Sequence, residues 1–222
     1  VKQATSDTFF TEDEKERIRT AVQAAEAATS GEIATMIVDE SDRYREAELV
    51  GSLFMAASIA LVIAVAIGHV TVWSYLPMVA VLYLPFWMLL RYFPRLKFPF
   101  TRAARISEAV RLRAVRGFYE KGLYRTRQET GILIFMSLLE HKVWILGDRG
   151  INERIDPSSW QEMAGDLAGG LAEGRGCDAL CSVIGRCGAE LSRHFSRQFD
   201  DVNELGDSLI VTSTLISGNI SL

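Results

Sequence analysis

The chain has 222 residues, with 24 Lys and Arg set against 28 Asp and Glu for a net charge of −4. That length suits one domain, or one domain plus a membrane element, and the absence of a basic excess argues against a nucleic-acid partner. Cys177, Cys181 and Cys187 are an odd number crowded into one segment without a CxxC pair, which excludes a disulfide framework or a zinc ribbon and fits a reducing compartment.

The N-terminal stretch from Val1 to Phe10 is polar and lacks the basic-then-apolar build of a cleavable signal. Thr11 then opens a helix as its cap, with Glu14 three residues on as capping-box partner and acids at the positive end of the dipole. Ile18, Ala21, Val22, Ala25 and Ala28 give this helix one apolar face, and Ser30-Gly31 stops it near Thr29. Glu32 to Val38 has the β-branched character of a strand.

Between Glu48 and Arg91 there is no Asp, Glu, Lys or Arg. A spanning helix needs roughly 20 apolar residues, so this run predicts two spans, Leu49–Ile67 and Trp73–Leu90, joined across Gly68 to Ser74 with His69 in the connection. A hairpin buried in a soluble core would need more protein to cover it than this chain has. Arg43 and Arg45 precede the first span, and Arg91, Arg95, Lys97, Arg102 and Arg105 follow the second, while the connection has no basic residue. By the positive-inside rule both termini and the folded domain are expected to face the cytoplasm. Ser52, Ala56, Ala60, Ala64 and Gly68 recur every fourth residue as a small-residue stripe. It serves either packing of the two spans on each other or association of the hairpin into a homo-oligomer. Pro77 and Pro85 interrupt the donors of the second span and predict kinks there.

Thr101 caps a second amphipathic helix whose Ile106, Val110, Ala114, Gly117 and Phe118 share a face, ending near Gly122. Arg105, Arg111, Arg113 and Arg116 stud this helix, either as an ordinary solvated face or against anionic headgroups. The runs Ile132–Leu139 and Lys142–Leu146, separated by Glu140-His141, predict a β-hairpin with a tight turn. Asp156-Pro157 opens a helix with a Trp160, Met163, Ala164, Leu167 and Leu171 stripe, and Gly174-Arg175-Gly176 ends it. A last helix carries Leu180, Val183, Ile184, Cys187, Leu191 and Phe195 on one face. From Asp200 to Leu222 the chain turns acidic and small-residue-rich, and a mobile tail is expected.

The piece before the hairpin holds one helix and one strand, too little for a core of its own. One domain, residues 8–47 and 101–199, interrupted by a membrane hairpin over 48–100 is therefore expected, with an α/β fold in which a small central sheet is flanked by helices. The order of elements, with Thr29-Ser30-Gly31-Glu32-Ile33 at the first strand, Gly131-Ile132-Leu133-Ile134 opening the second, and Lys142 to Ile151 running through Gly147-Asp148-Arg149-Gly150, resembles the TPM domain family. It is most similar to the short membrane-bound branch, in which a spanning hairpin splits the domain and the chain ends in a stretch like Asp200 to Leu205. The resemblance implies a TPM-like α/β sandwich. Relatives are described as acid phosphatases, calcium binders or membrane assembly factors, and bacterial ones are linked with LemA-type membrane proteins, so such a partner is implied here.

Asp148, Asn152, Glu153 and Asp156 crowd the loop after the last strand, and oxygen donors at a strand end suit a hard cation such as Ca²⁺ or Mg²⁺. The same residues also read as a helix cap, a turn support and a solvated acid. Cys187 and Arg193 have the spacing of a cysteine phosphatase loop, but a mid-helix cysteine on an apolar face lacks the backbone cradle a thiolate needs. His69, His141 and His194 fall in unrelated places, and no Ser-His-Asp set, phosphate loop or HExxH is present. Two functions remain: a membrane-anchored binding or assembly module, favoured because titratable groups do not converge, and a divalent-metal-dependent phosphatase using the Asp148 loop.

Overall fold

The computed structural model describes residues 5–68, 71–126, 129–195 and 208–212. The chain divides into two units, a sheet unit formed by Val1–Ser41 with Ser107–Leu222, and a hairpin unit formed by Asp42–Ile106.

In the sheet unit, one turn of helix α1 (Ser6–Phe9) precedes α2 (Glu12–Glu26). The expected capping box is present: Glu14 N–H donates to Thr11 Oγ1 at 3.3 Å, and Thr11 N–H donates to Glu14 Oε2 at 2.8 Å. Strand β1 (Glu32–Val38) is buried along its whole length, polar Glu32 and Thr35 included, as is usual of a strand covered on both faces. It pairs in parallel with β2 (Gly131–Ser137), from Glu32 opposite Gly131 to Val38 opposite Ser137, and β2 pairs antiparallel with β3 (Lys142–Gly147). A three-residue strand, β4 (Ile210–Thr212), lies parallel to β1 on its other edge, giving the order β3-β2-β1-β4.

Strand alternation sorts the side chains between two cores. Ile33, Ile37, Ile132, Ile134 and Met136 join the apolar faces of α2, α7 (Pro157–Ala172) and α8 (Gly176–His194). Ala34, Met36, Val38, Leu133 and Phe135 face the other way, against Val110, Ala114 and Phe118 of α5 (Ala103–Glu120). The result is a mixed α/β unit with a four-stranded sheet between helices. Close approach is permitted by glycine: a Cβ on Gly188 of α8 would lie 2.7 Å from the Ala25 Cβ of α2.

Two expectations are corrected in this unit. Strand β2 ends at Ser137 rather than Leu139, because the Leu138 and Leu139 N–H groups leave the ladder to donate to the Val38 and Asp39 carbonyls. The connection is therefore the four residues 138–141, closed by His141 at φ 50°, not a two-residue turn. The stretch expected to be a mobile tail contains β4, since the open edge of β1 offers partners for a short Ile-Val-Thr run; residues 200–207 and 213–222 lie outside the described residues.

In the hairpin unit, α3 (Arg45–Ile67, 23 residues) and α4 (Val72–Tyr92, 21 residues) are long and apolar enough to cross a membrane. Helix α3 begins four residues before the apolar run, and α4 continues through both Pro77 and Pro85 to Tyr92. Gly68 ends α3 at φ 73°, a left-handed cap that suits a residue without a Cβ. His69 and Val70 lie outside the described residues. A 3₁₀ segment (Pro94–Phe100) follows α4.

Candidate functional site

In the loop after β3 each of the four predicted cation ligands has a local partner. Asp148 caps α6 (Arg149–Asn152), with Oδ1 accepting from Arg149 N–H at 2.7 Å and Oδ2 buried without a partner among the described residues. Asn152 Nδ2 donates to the Gly147 carbonyl at 2.6 Å. Glu153 pairs with Arg149 at 3.0 Å, and Asp156 Oδ1 accepts from Ser158 N–H at 2.8 Å as the cap of α7. That backbone hydrogen bond, with a second from the Ser158 hydroxyl, holds the Asp156 carboxyl below its ordinary range. Among the described residues, no group of three or more His, Cys, Asp and Glu side chains converges to hold a metal ion. Each of the four residues is engaged locally, and the alternative reading as caps and turn supports describes the geometry.

The cysteines are equally plain. Cys187 is fully buried in α8 with Sγ 3.8 Å from Met163 Sδ, and burial pushes its thiol up to about 12. A thiol so far from ionisation is no nucleophile, which agrees with setting aside the CX5R spacing. His141 closes the β2–β3 turn and His194 sits in the last turn of α8, its carbonyl accepting from Arg154.

A polar knot not foreseen from the sequence lies where β1 and β2 end side by side. Glu140 is 8% exposed and accepts from Ser41 N–H at 3.0 Å and from the Ser137 hydroxyl, while the Ser41 hydroxyl donates to Ser137 Oγ at 2.8 Å. Asp39 beside it accepts from Ser6 N–H at 2.6 Å. The carboxylates satisfy the chain where it leaves the sheet, as buried acids must be satisfied.

The densest chemistry is at the base of the hairpin. Glu48 in the first turn of α3 and Lys97 in the 3₁₀ segment form an ion pair at 3.2 Å, with side chains only 9% and 6% exposed. Lys97 Nζ also donates to the Arg43 carbonyl at 3.1 Å, so one ammonium ties the start of the hairpin to its end. Glu48 Oε1 is buried without a hydrogen-bond partner among the described residues. Tyr44 and Phe98 stack edge to face at 6.0 Å, and Phe100 approaches Gly51 so closely that a Cβ there would meet its ring at 2.8 Å. Arg105 pairs with Asp42 at 2.6 Å.

The basic flank residues differ in their surroundings. Arg43, Arg45, Arg91 and Arg95 are exposed, whereas Lys97 is buried and paired with Glu48. Its signal in the sequence is Glu48, the last acid before the charge-free run and four residues before Ser52. The Ser52 hydroxyl bonds the Glu48 carbonyl, which continues the small-residue stripe into the neck.

Ser52, Ala56, Ala60 and Ala64 are all buried where α3 packs on α4, and Tyr75 Oη donates to the Ala57 carbonyl at 3.1 Å across the same seam. The stripe is occupied within the chain, and Gly68, its predicted fifth member, is an exposed cap instead. The outward faces carry large apolar side chains, among them Leu53, Phe54, Val62 and Val65 of α3 and Leu76, Val81 and Leu84 of α4.

Comparison with known families and with curated proteins finds no match. Among solved structures, the chain is similar to the NMR structure of the BA42 protein from the psychrophilic bacterium Bizionia argentinensis, with a TM-score of 0.58 and 19% identity over 92% of this chain and 96% of that one. At that identity the likeness is one of fold.

Proposed function

We propose that this chain is a membrane-anchored member of the TPM domain family, in which α3 and α4 cross the bilayer and the sheet unit acts at the cytoplasmic face as a binding and assembly module for membrane proteins. The observation that carries the reading is the apolar exterior of the hairpin. Little more than a quarter of the α3 span and almost none of the α4 span is buried within the chain, and side chains such as Val62, Val65 and Val81 are 63–71% exposed. Water does not tolerate so large a continuous apolar surface, whereas lipid does. The family reading is supported by the placement of its motifs, since Gly31-Glu32-Ile33 opens β1, Gly131 opens β2 and Gly147-Asp148-Arg149-Gly150 leaves β3.

The module reading rests on what the titratable groups do: they cap helices, close turns and lock the neck, and no observation favours the phosphatase alternative. Because the small-residue stripe is covered by α4, any homo-oligomer or partner such as a LemA-type protein uses the outer apolar faces or the sheet unit. Two experiments test this. The chain is expected to resist alkaline carbonate extraction, with single cysteines placed at Thr71 and at Arg43 labelled from opposite sides of the membrane; extraction, or labelling from one side, removes the spanning hairpin. A photo-crosslinker at Val62 or Leu84 in native membranes is expected to capture a defined protein partner, and recovery of lipid adducts alone counts against an assembly role for the hairpin.

A further inference from the structure

We infer that the neck of the hairpin is a binding site for the phosphates of anionic phospholipid headgroups, an inference that rests on the membrane reading above. The distribution of charge points there. Of the basic residues in the hairpin unit, Lys97 is buried on Glu48 and Arg105 is paired with Asp42. The remaining five, Arg43, Arg45, Arg91, Arg95 and Arg102, are exposed and have no ion pair among the described residues, while Glu46 is the one exposed acid beside them. Arg91 lies over the Trp87 ring at 5.4 Å, a contact made through the guanidinium face.

Arg43, Arg45, Arg91 and Arg95 share one end of the hairpin, because Arg45 starts α3, Arg91 lies in the last turn of α4, and the Lys97 bond to the Arg43 carbonyl draws the 3₁₀ segment carrying Arg95 up to the start of α3; Arg102 follows two residues after that segment. The buried lock makes them a fixed set. Next to them, Tyr92 and Phe93 are 72% and 59% exposed, the aromatic residents expected where headgroups meet acyl chains. A guanidinium offers paired donors that match phosphate oxygens, and an anionic leaflet attracts each such charge within a Debye length. The zwitterionic headgroup of phosphatidylcholine brings its own cation to the site and satisfies it poorly.

The test is native mass spectrometry of the full chain released from detergent, titrated with phosphatidylglycerol or with phosphatidylcholine of the same acyl chains. The expected result is a preference for phosphatidylglycerol of about tenfold or more, from several arginines acting together. The double variants Arg43→Gln/Arg45→Gln and Arg95→Gln/Arg102→Gln should each shrink that preference, and Arg→Lys replacements should retain most of it. Equal affinity for the two lipids, an undiminished preference in both Gln variants, or displacement of bound lipid by millimolar inorganic phosphate would overturn the inference. Carbonate extraction run alongside separates the failures: protein that stays in the membrane but shows no lipid preference sinks the headgroup site alone, whereas protein that is extracted sinks the membrane reading.

Discussion

Replacing Lys97 by Met asks what the buried charge pair does for the hairpin. The Nζ atom has two polar partners, Glu48 Oε2 at 3.2 Å and the Arg43 carbonyl at 3.1 Å, in a neck where both side chains are at least nine-tenths buried. At 3.2 Å and an effective dielectric constant of about 20, the Coulomb attraction is about 5 kcal/mol. Desolvation of the two ions offsets much of that, so the pair contributes little compared with a well-packed apolar replacement of both. Breaking it from one side is different. Lys97→Met would leave Glu48 with neither oxygen partnered, since Oε1 already has none, and the loss expected for a buried charge stripped of its partner is about 3–5 kcal/mol, limited by uptake of a proton. Glu48→Gln should cost less, because Lys97 keeps the Arg43 carbonyl and an amide oxygen at position 48. Unfolding in mixed detergent micelles of wild type, both single variants and the Glu48→Gln/Lys97→Met double variant gives the coupling energy directly. The double variant should regain more than half of what Lys97→Met loses. A Lys97→Met protein within about 1 kcal/mol of wild type, or a Glu48→Gln loss exceeding it, refutes the reasoning.

Ala60→Leu, in the buried α3–α4 seam, should destabilise the hairpin by about 1–3 kcal/mol through overpacking, while Val62→Leu on the outer face should leave micelle unfolding unchanged. Thr11→Ala removes the hydroxyl side of the α2 capping box and should cost about 1 kcal/mol, read as a lower thermal midpoint of the sheet unit and faster hydrogen exchange at the Glu14 amide. Asp156 is held below its ordinary range, so its cap is fully formed above the unfolded carboxylate range and is lost as pH falls through the depressed folded value. Thermal midpoints should therefore drop further between about pH 5 and about pH 2.5 in wild type than in Asp156→Asn, and equal drops would show that this ionisation does not stabilise α7. Gly188→Val should separate α2 from α8, because even a Cβ would sit 2.7 Å from that of Ala25; a thermal midpoint equal to wild type would mean the two helices are less tightly fixed than their contact implies.

The elements with a strong local signal were legible from the sequence. A capping box at Thr11 and Glu14, an Asp-Pro start at 156 and 157, and charge-free runs of membrane length act within a few residues and do not depend on tertiary partners. What escaped depends on neighbours far along the chain. Strand β4 is three residues long and exists because β1 has an open edge, so its Ile-Val-Thr run carries too little propensity to announce itself. The early end of β2 follows from Leu138 and Leu139 donating across to residues 38 and 39, a hundred positions away. The acidic loop was ambiguous for the converse reason: cap, turn and cation ligand demand the same oxygen-bearing residues, and only their directions distinguish them.

The charges of the hairpin unit show the same limit at the candidate site and also give it its meaning. Sequence order alone treats Lys97 and Arg95 as equivalent flanking cations, yet one is sealed against Glu48 and the other faces outward. A leaflet field acts on exposed charge, so the count that matters to a membrane is smaller than the count in the sequence and excludes Lys97 and the paired Arg105. The buried pair plays a different part, joining the two chain segments that carry the outward arginines, so that in the proposed headgroup site lipid would meet a single platform rather than two independently fraying helix ends. It follows that loosening the lock should weaken lipid selectivity even though none of the exposed arginines is touched. Lys97→Met would therefore lower the phosphatidylglycerol preference as well as stability, and the Glu48→Gln/Lys97→Met variant, if it restores packing, would restore both together.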